Sequence, residues 1–258
     1  ACIVKDKELK ELSLYVRQHA QTTQFKNADS WVILSDIEQR IKAKIEAIGT
    51  PLKDWDINIY RGILTGYNEA FIIDKTKKEE ILANCKTEEE RQRTGEIIRP
   101  ILRGRDIKRY GYEFADLYLL FIPWHFPLHL VEPEIKGASK EAEEAFENQY
   151  PAIYNHLLQY KTELSNRNKA ETGIRYEWYA LQRWGANYWE DFSKQKIIWK
   201  IIGNELAFCI ENGNFMINNA CYLLTGNHLE YIVAFLNSKP IKWFSLQTNM
   251  NKTGVGDM

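Results

Sequence analysis

The sequence lacks the long apolar run that a membrane-spanning helix needs. No stretch of its 258 residues approaches the roughly 20 apolar residues that cross a bilayer, and the first ten residues carry no signal-peptide pattern. Cysteine is scarce and scattered, with Cys2, Cys85, Cys209 and Cys221 and no Cys-x-x-Cys pair. We therefore expect a cytoplasmic protein, without a membrane partner, whose thiols are reduced.

The chain also lacks an excess of charge of either sign. Lys and Arg total 34, against 35 for Asp and Glu, so no whole-molecule field attracts a polyanion. A nucleic-acid surface would have to be a local patch. Hydrophobic residues at 45% are enough to bury a core, and aromatic residues at 13% favour a mixed α/β or β-rich core, or stacking surfaces.

The common catalytic and phosphate-binding motifs are absent as well. There is no GxxxxGK[ST], no GxGxxG after a strand and no HExxH. His125 and His129 are four residues apart, but Pro127 lies between them, so a helical metal-binding pair is not expected. No nucleophile with an adjacent base is evident. We assign no catalytic residue and no metal ligand.

Periodicity predicts both helices and strands. Ile37, Ile41, Ile45 and Ile48 form one apolar stripe of a helix over residues 35–48, which Gly49 and the following proline end. Further helices are predicted over residues 5–20, 139–165 and 229–236, and a charged helical pair over 75–93. Strands are predicted on both sides of the loop described next and over residues 117–124, 196–202, 206–210 and 219–224.

Residues 61–69, here called the glycine loop, combine two glycines with hydrogen-bonding side chains. Gly62 and Gly66 bracket a turn, and the apolar run 70–73 that follows predicts a buried strand. Polar groups on a turn that glycine permits suit a recognition loop. The alternative is a strand, a turn and a strand without function. The candidate contact residues are Arg61, Thr65, Asn68 and Glu69.

Residues 98–110, here called the basic loop, form the densest cationic segment. Its cations are Arg99, Arg103, Arg105, Lys108 and Arg109, against a single acid, Asp106. Such a loop suits phosphate contact, and arginine can also fork onto guanine. The alternative is a solvated run of charge.

Residues 166–186, here called the aromatic segment, mix arginines with aromatic rings. Arg167, Arg175, Gln182 and Arg183 are candidates for base contact. We expect the tryptophans in this segment to pack in the core.

Several stretches together resemble the TaqI-like C-terminal specificity domain of adenine-specific DNA methyltransferases and type IIG restriction-modification enzymes. They follow the order of that family and span about residues 50 to 245. They are Ile59–Asp74, Arg99–Tyr110, Tyr150–Tyr154, Tyr160–Arg167 with Leu157, Trp178–Leu181, Lys196–Trp199 and Phe235–Lys239.

The resemblance implies a target recognition domain, a mixed α/β module with a mixed sheet and flanking helices that places loops in the major groove of double-stranded DNA. Residues 1–50 would be a helical linker that follows an absent methyltransferase domain. Residues 51–258 would be the specificity domain, truncated at its C-terminus. The absent domain would bind S-adenosylmethionine and carry Asn-Pro-Pro-Tyr, which this sequence lacks. A fused nuclease, if present, would need Mg²⁺. No cofactor is expected in this chain.

We therefore expect sequence-specific DNA recognition by a chain that is not itself an enzyme, whereas its parent would be. Arg99, Lys108 and Arg109 are assigned to phosphate contact, and the other candidates named above to base contact. Two alternatives stay open. One is a protein-interaction module that pairs through the helices at 35–48 and 139–165. The other is a metal-dependent nuclease around Asp116, Glu134 and Lys136.

Overall fold

A computed structural model describes residues 11–19, 34–203 and 206–247. The chain divides into two compact units, Ala1–Trp55 and Asp56–Met258. The helices are α1 (Leu12–His19), α2 (Asp36–Ile48), α3 (Asn68–Phe71), α4 (Lys75–Ala83), α5 (Glu88–Ile97), α6 (Lys140–Gln149), α7 (Pro151–Leu158), α8 (Lys161–Asn166), α9 (Leu229–Leu236) and α10 (Lys239–Gln247). The strands are β1 (Ile57–Arg61), β2 (Ile72–Asp74), β3 (Ile98–Leu102), β4 (Ile107–Lys108), β5 (Gly111–Tyr112), β6 (Leu117–Leu120), β7 (Lys196–Lys200), β8 (Phe208–Glu211), β9 (Met216–Ile217) and β10 (Cys221–Gly226).

In the first unit, α2 confirms the helix that the isoleucine spacing predicts. Ser35 and Glu38 form a reciprocal capping box at its start, which satisfies two main-chain N–H groups that the helix leaves free. Its isoleucine stripe stays largely exposed, at Ile37, Ile41 and Ile48. Residues 5–10 of the helix predicted over 5–20 lie outside the described residues, and α1 covers much of the remainder.

The second unit contains two four-stranded sheets and one two-stranded sheet. The first sheet has the order β1-β10-β7-β8 and is antiparallel throughout. The second has the order β2-β6-β3-β9, and its β3–β9 pair is parallel. β4 and β5 form the small antiparallel pair. With helices beside these sheets, the fold is mixed α/β, which confirms the predicted class.

Three local predictions were wrong. The basic loop is not a loop throughout, because it contains the strands β3 and β4. The run 70–73 is not one strand, because Ala70 and Phe71 complete the short helix α3 and only then does β2 begin. Its side chains are nevertheless buried, with Phe71 fully inside the core. The helix predicted to continue from Tyr150 to Leu164 is two helices, α7 and α8, because the chain turns at Tyr160, whose N–H bonds to Leu157 O over 2.9 Å. Apolar spacing alone does not distinguish a short helix from a strand, or two consecutive helices from one.

The core joins the second sheet to the helices α6 and α7. Leu119, Ile101, Phe146 and Leu157 are fully buried there, and each such side chain stabilises the fold by about 1.5–3 kcal/mol relative to exposure. Tyr179 brings the aromatic segment into the same core, where its hydroxyl donates to Phe126 O over 2.9 Å. The second sheet and the aromatic segment therefore share one hydrophobic interior.

The β7–β8 hairpin encloses a buried ion pair. Lys196 donates to Glu211 and to Phe192 O, and both ionised side chains are fully buried. Glu211 also accepts from the N–H groups of Gly213 and Asn214 over 3.1 and 2.7 Å. These bonds compensate the desolvation of both charges and fix the turn that follows β8.

The described cysteines are free thiols, as expected. Cys209 and Cys221 are buried, and burial raises the pKa of each thiol to about 12. Cys85 is half-buried, and Cys2 lies outside the described residues. Of the helices in the described part of the chain, none has the length and apolar character needed to cross a membrane.

Candidate nucleic-acid interface

The glycine loop runs between two segments that are distant in sequence. On one side, Ile63 N donates to Ile217 O and Asn219 N donates to Ile63 O, both over 2.8 Å. On the other side, Leu64 and Arg183 exchange main-chain hydrogen bonds of 3.0 and 2.9 Å. The loop therefore holds the aromatic segment and the chain after β9 together.

The two glycines of this loop serve different geometric needs. Gly62 allows the main chain of Asn218 to approach closely, because an added Cβ would lie 2.1 Å from Asn218 O. Gly66 has a φ of +79°, in the left-handed region that other residues rarely adopt, and its added Cβ would lie 2.6 Å from Gln182 Oε1. Glycine is thus required at both ends of the turn.

Arg167 ties the same two parts of the chain together from inside. Its guanidinium donates to the carbonyl oxygens of Thr65, Trp178 and Ala180. Burial lowers the pKa of Arg167 to about 10. Thr65 is itself buried, and its hydroxyl donates to Asn68 Oδ1 over 2.7 Å. The Thr65 hydroxyl and both Nη groups of Arg167 are therefore engaged within the protein, where they shape the loop, whereas Arg167 Nε is buried without a hydrogen-bond partner among the described residues.

Arg61 is the last residue of β1 and the first residue of the glycine loop, and it is exposed. Its Nε donates to Asn219 O over 2.9 Å, and its own carbonyl accepts from the Tyr188 hydroxyl over 3.0 Å. Tyr188 also stacks on Tyr60 with ring centroids 4.3 Å apart. Arg61 is thus bound to a main-chain carbonyl, rather than paired with Glu69 as its proximity in sequence would allow.

The remaining candidates of the glycine loop and the aromatic segment lie on the surface. Asn68, Glu69, Arg175 and Arg183 are exposed, and Gln182 is half-buried against Gly66. The main-chain hydrogen bonds between Leu64 and Arg183 bring the candidates of the glycine loop close to those of the aromatic segment, which are distant in sequence. In contrast, Trp178 is buried, as expected of a core residue, and Trp184 is half-buried with its ring edge-on to Phe121.

Glu171 is a residue of this surface that was not among the candidates. Its carboxylate accepts from Arg175 Nη1 over 2.8 Å and from Arg183 Nη2 over 2.8 Å. The hydrogen bond from Arg183, followed by the attraction of both arginines, lowers the pKa of Glu171 despite partial burial. Both guanidinium groups lie over the Trp124 ring, at 5.4 and 5.9 Å from its centroid. The i, i+4 spacing to Arg175 was a signal in the sequence, but the contact with Arg183 was not.

The basic loop is closed by a local contact. Arg103 Nε and Nη2 donate to the two carboxylate oxygens of Asp106 over 3.0 and 2.9 Å, and its N–H adds a third bond of 2.8 Å. Burial alone would raise the pKa of Asp106, but these hydrogen bonds lower it. The Asp106 carboxylate is thereby hydrogen-bonded to Arg103, and the Arg103 guanidinium points toward it.

The other cations of the basic loop differ in their surroundings. Arg99 lies 4.6 Å from the centroid of the Phe121 ring, and burial lowers its pKa. Arg105, Lys108 and Arg109 are exposed. Lys108 lies 3.4 Å from a carboxylate oxygen of Glu113, and Arg109 Nη2 donates to the carbonyl of a residue just after α9 over 2.8 Å. Three exposed cations therefore lie on one loop, and two of them, Lys108 and Arg109, also have a contact within the protein.

The stretch 217–220 contacts both loops, although none of its residues was among the candidates. Asn218 N donates to Leu102 O over 3.2 Å, at the start of the basic loop. An added Cβ at Gly104 would lie 3.5 Å from Ala220 O. The same stretch bonds to Ile63 and Arg61 of the glycine loop. The structure thus brings all three candidate segments to one part of the second unit.

The alternative nuclease site gains no support from the described residues. Among them, no group of three or more His, Cys, Asp or Glu side chains is placed to hold a metal ion. Asp116 accepts a hydrogen bond of 2.7 Å from Tyr118. His125 Nδ1 lies 2.8 Å from a carboxylate oxygen of buried Glu177, which also accepts from the Ser139 N–H. These contacts fix local structure.

Comparison with known proteins identifies one family that the chain matches. The family model of the TaqI-like C-terminal specificity domain matches residues 99–255, more than half of the chain, and includes the basic loop and the aromatic segment. The type II methyltransferase M.MjaIV of Methanocaldococcus jannaschii is 25% identical over 123 residues, which cover 48% of this chain and 33% of that protein. The chain thus matches about a third of that relative.

A solved structure also shows a distant similarity. The type IIL restriction-modification enzyme MmeI, in complex with DNA, is 12% identical and aligns with a TM-score of 0.39. The alignment covers 74% of this chain and 22% of that enzyme.

Proposed function

Since the chain belongs to the family of TaqI-like C-terminal specificity domains, we propose that it recognises a specific sequence in double-stranded DNA. It would do so as the specificity domain of an adenine-specific DNA methyltransferase or of a type IIG restriction-modification enzyme. The methyltransferase domain of the same parent protein, with its S-adenosylmethionine, would be its partner. The relationship to a type II methyltransferase supports this assignment.

The observation that carries the proposal is the reciprocal pair of hydrogen bonds between Leu64 and Arg183. This pair places the polar side chains of the glycine loop beside those of the aromatic segment. Reading bases requires several different donors and acceptors in fixed relative positions, because each base edge has its own pattern in the major groove. A surface that joins amide, carboxylate and guanidinium groups on anchored loops meets this requirement.

The candidates fall into two groups, according to whether their polar groups face solvent or bind within the protein. Asn68 and Gln182 suit adenine, Glu69 suits cytosine, and exposed arginines suit guanine. Thr65, Arg103 and Arg167, whose polar groups bind within the protein, would support the loops. The proposed base-contact residues are Arg61, Asn68, Glu69, Arg105, Arg175 and Gln182, and the proposed phosphate-contact residues are Arg99, Lys108 and Arg109. Arg183, whose guanidinium binds Glu171 and Gln182 O, would support this surface.

The near-neutral charge of the chain is compatible with this role. Specific readout depends on a few groups that discriminate between base edges, whereas non-specific affinity grows with the number of phosphate contacts. A chain with 34 basic and 35 acidic residues would share its phosphate contacts with the rest of a larger enzyme. We therefore expect measurable specificity with modest affinity.

Selection from a randomised duplex pool, followed by sequencing across a salt series, tests the proposal. We expect an enriched motif and binding that weakens steeply as salt rises. Arg61→Ala should relax the motif at individual positions. Arg91→Ala is the matched control, because it removes the same charge from the exposed face of α5. Binding without any enriched motif would contradict the proposal.

A second candidate function rests on a different observation, the exposed isoleucine stripe of α2. An apolar helix face of this kind can pair with a helix of a partner protein. Such pairing should change little with salt, whereas DNA binding should not survive high salt. Ile41→Asp would abolish helix pairing and leave DNA selection unchanged, so the two functions can be tested separately.

A further inference from the structure

We propose that Glu171 is a positioning residue that presents Arg175 to a guanine edge, with Arg183 as a brace. This inference rests on the proposed function and names one of its specificity determinants.

The Glu171 carboxylate is the centre of a small hydrogen-bonded cluster. Its side chain is 14% exposed, and it accepts from Arg175, Arg183 and Asn168. The Asn168 Nδ2 bond measures 2.7 Å. A carboxylate with three donors in fixed positions has little freedom to rotate, so it fixes in turn the arginines that bind it.

Arg183 is held at both ends. Its main chain is paired with Leu64, and its guanidinium donates from Nη1 to Gln182 O over 2.7 Å as well as from Nη2 to Glu171. The aromatic ring below is also fixed, because Trp124 Nε1 donates to Leu181 O over 2.8 Å and the indole stacks on Tyr176. Arg183 therefore braces Glu171 from the side of the glycine loop.

Arg175 is held at one nitrogen only. Its Nη1 donates to Glu171, and the side chain is 58% exposed over the Trp124 ring. Within the described part of the chain, its Nε and Nη2 make no hydrogen bond. Guanine is read by two donors of one arginine that reach O6 and N7 together. Arg175 retains such a pair of donors while its third nitrogen is fixed.

The charge of the cluster also favours base readout over phosphate binding. Glu171 cancels one of the two positive charges, and a carboxylate beside them weakens attraction to phosphate. The cluster therefore fixes the orientation of its arginines but binds phosphate less strongly. Restricting a flexible arginine before binding reduces the entropy that binding would otherwise cost. Both effects serve discrimination between bases.

The test compares binding to the selected duplex with binding to single-base variants of it, using the wild-type chain and three substitutions. Arg175→Ala and Arg175→Lys should both lose a G·C preference at the same position, by about 5- to 150-fold, because lysine keeps the charge but lacks the fork. Glu171→Gln should weaken the same preference by about 2- to 5-fold, the range of a partly exposed ion pair. Its affinity for unrelated duplexes should be unchanged or higher.

Glu163→Gln is the control, because it removes the same charge from the exposed surface of α8 and should leave every preference unchanged. Thermal unfolding of each variant excludes a general loss of fold, and Arg175→Lys, at an exposed side chain, decides the question if Glu171→Gln is unstable. A wild-type motif that persists in Arg175→Lys and Glu171→Gln would overturn the inference and leave the proposed function standing. No motif with the wild type would instead overturn the proposed function.

Discussion

The glycine loop and the basic loop are held in place in different ways. The glycine loop depends on residues far away in sequence, through the main-chain bonds of Ile63 and Leu64 and through Arg167. The basic loop also has long-range bonds, from Asn218 N to Leu102 O and from Arg109 Nη2 to Asn237 O, but its central turn closes on itself through Arg103 and Asp106. Polar side chains on the first loop are therefore positioned by the whole fold, whereas cations on the second project from a local turn.

Under the proposed function, this difference would suit the two tasks of a DNA-binding surface. Base readout requires side chains that are held in a fixed geometry, while a phosphate contact tolerates a flexible point charge. The contrast predicts that substitutions in the two loops will have effects of different size and kind.

Arg167→Ala should lower the free energy of unfolding by about 3 kcal/mol or more, because three carbonyl oxygens lose a charged donor in a partly buried site. Urea denaturation measures this loss, and specific binding should disappear with it. Arg91→Ala, on the exposed face of α5, should stay within about 0.5 kcal/mol of the wild type. A similarly small loss for Arg167→Ala would mean that other contacts hold the glycine loop.

Asp106→Asn should lower the free energy of unfolding by about 1–2 kcal/mol at neutral pH, because Arg103 loses an ionised partner at a partly exposed site. The folded pKa of Asp106 is lowered from 3.8. Its ionised form therefore contributes stability that is complete above pH 3.8 and is lost as pH falls through the folded pKa.

Denaturation of the wild type and Asp106→Asn over an acid pH series measures this contribution. The two curves should converge as pH falls, because the wild-type carboxylate then becomes protonated. Base preference should be retained at neutral pH. Curves that stay parallel throughout the series would contradict the assigned role of the carboxylate.

Lys108→Ala should have the smallest effect on stability, within about 0.5 kcal/mol, because the side chain is exposed. It should weaken binding equally for all duplexes and reduce the slope of log affinity against log salt by about 0.9, the loss of one phosphate contact. Affinities of a selected and an unrelated duplex over a salt series measure both quantities. A change confined to one base position would assign Lys108 to readout instead.

The parts of the fold that depend on local sequence could be predicted. The stripe from Ile37 to Ile48 predicted α2, the apolar residues from Leu229 to Leu236 predicted α9, and several strands followed from short apolar runs. The combined resemblance over residues 50 to 245 also identified the family correctly. Local propensity and hydrophobic spacing are properties of neighbouring residues, so one sequence reveals them.

The geometry of the candidate interface could not be predicted in the same way. The pairing of Leu64 with Arg183, the approach of Asn218 to Gly62 and the contact of Glu171 with Arg183 all join residues that are distant in sequence. No spacing rule encodes such contacts. The domain boundaries and the base-contact residues remain predictions, and the end of the chain after Gln247 lies outside the described residues.

The most direct test of the account compares the base preferences of Gln182→Ala and Lys108→Ala in parallel selections from one randomised duplex pool. Gln182 lies against Gly66 on the anchored surface, whereas Lys108 lies on the locally closed basic loop. We expect that Gln182→Ala loses the preference at one position of the motif, and that Lys108→Ala keeps the whole motif with weaker binding. The reverse result, a motif altered by Lys108→Ala and untouched by Gln182→Ala, would contradict it.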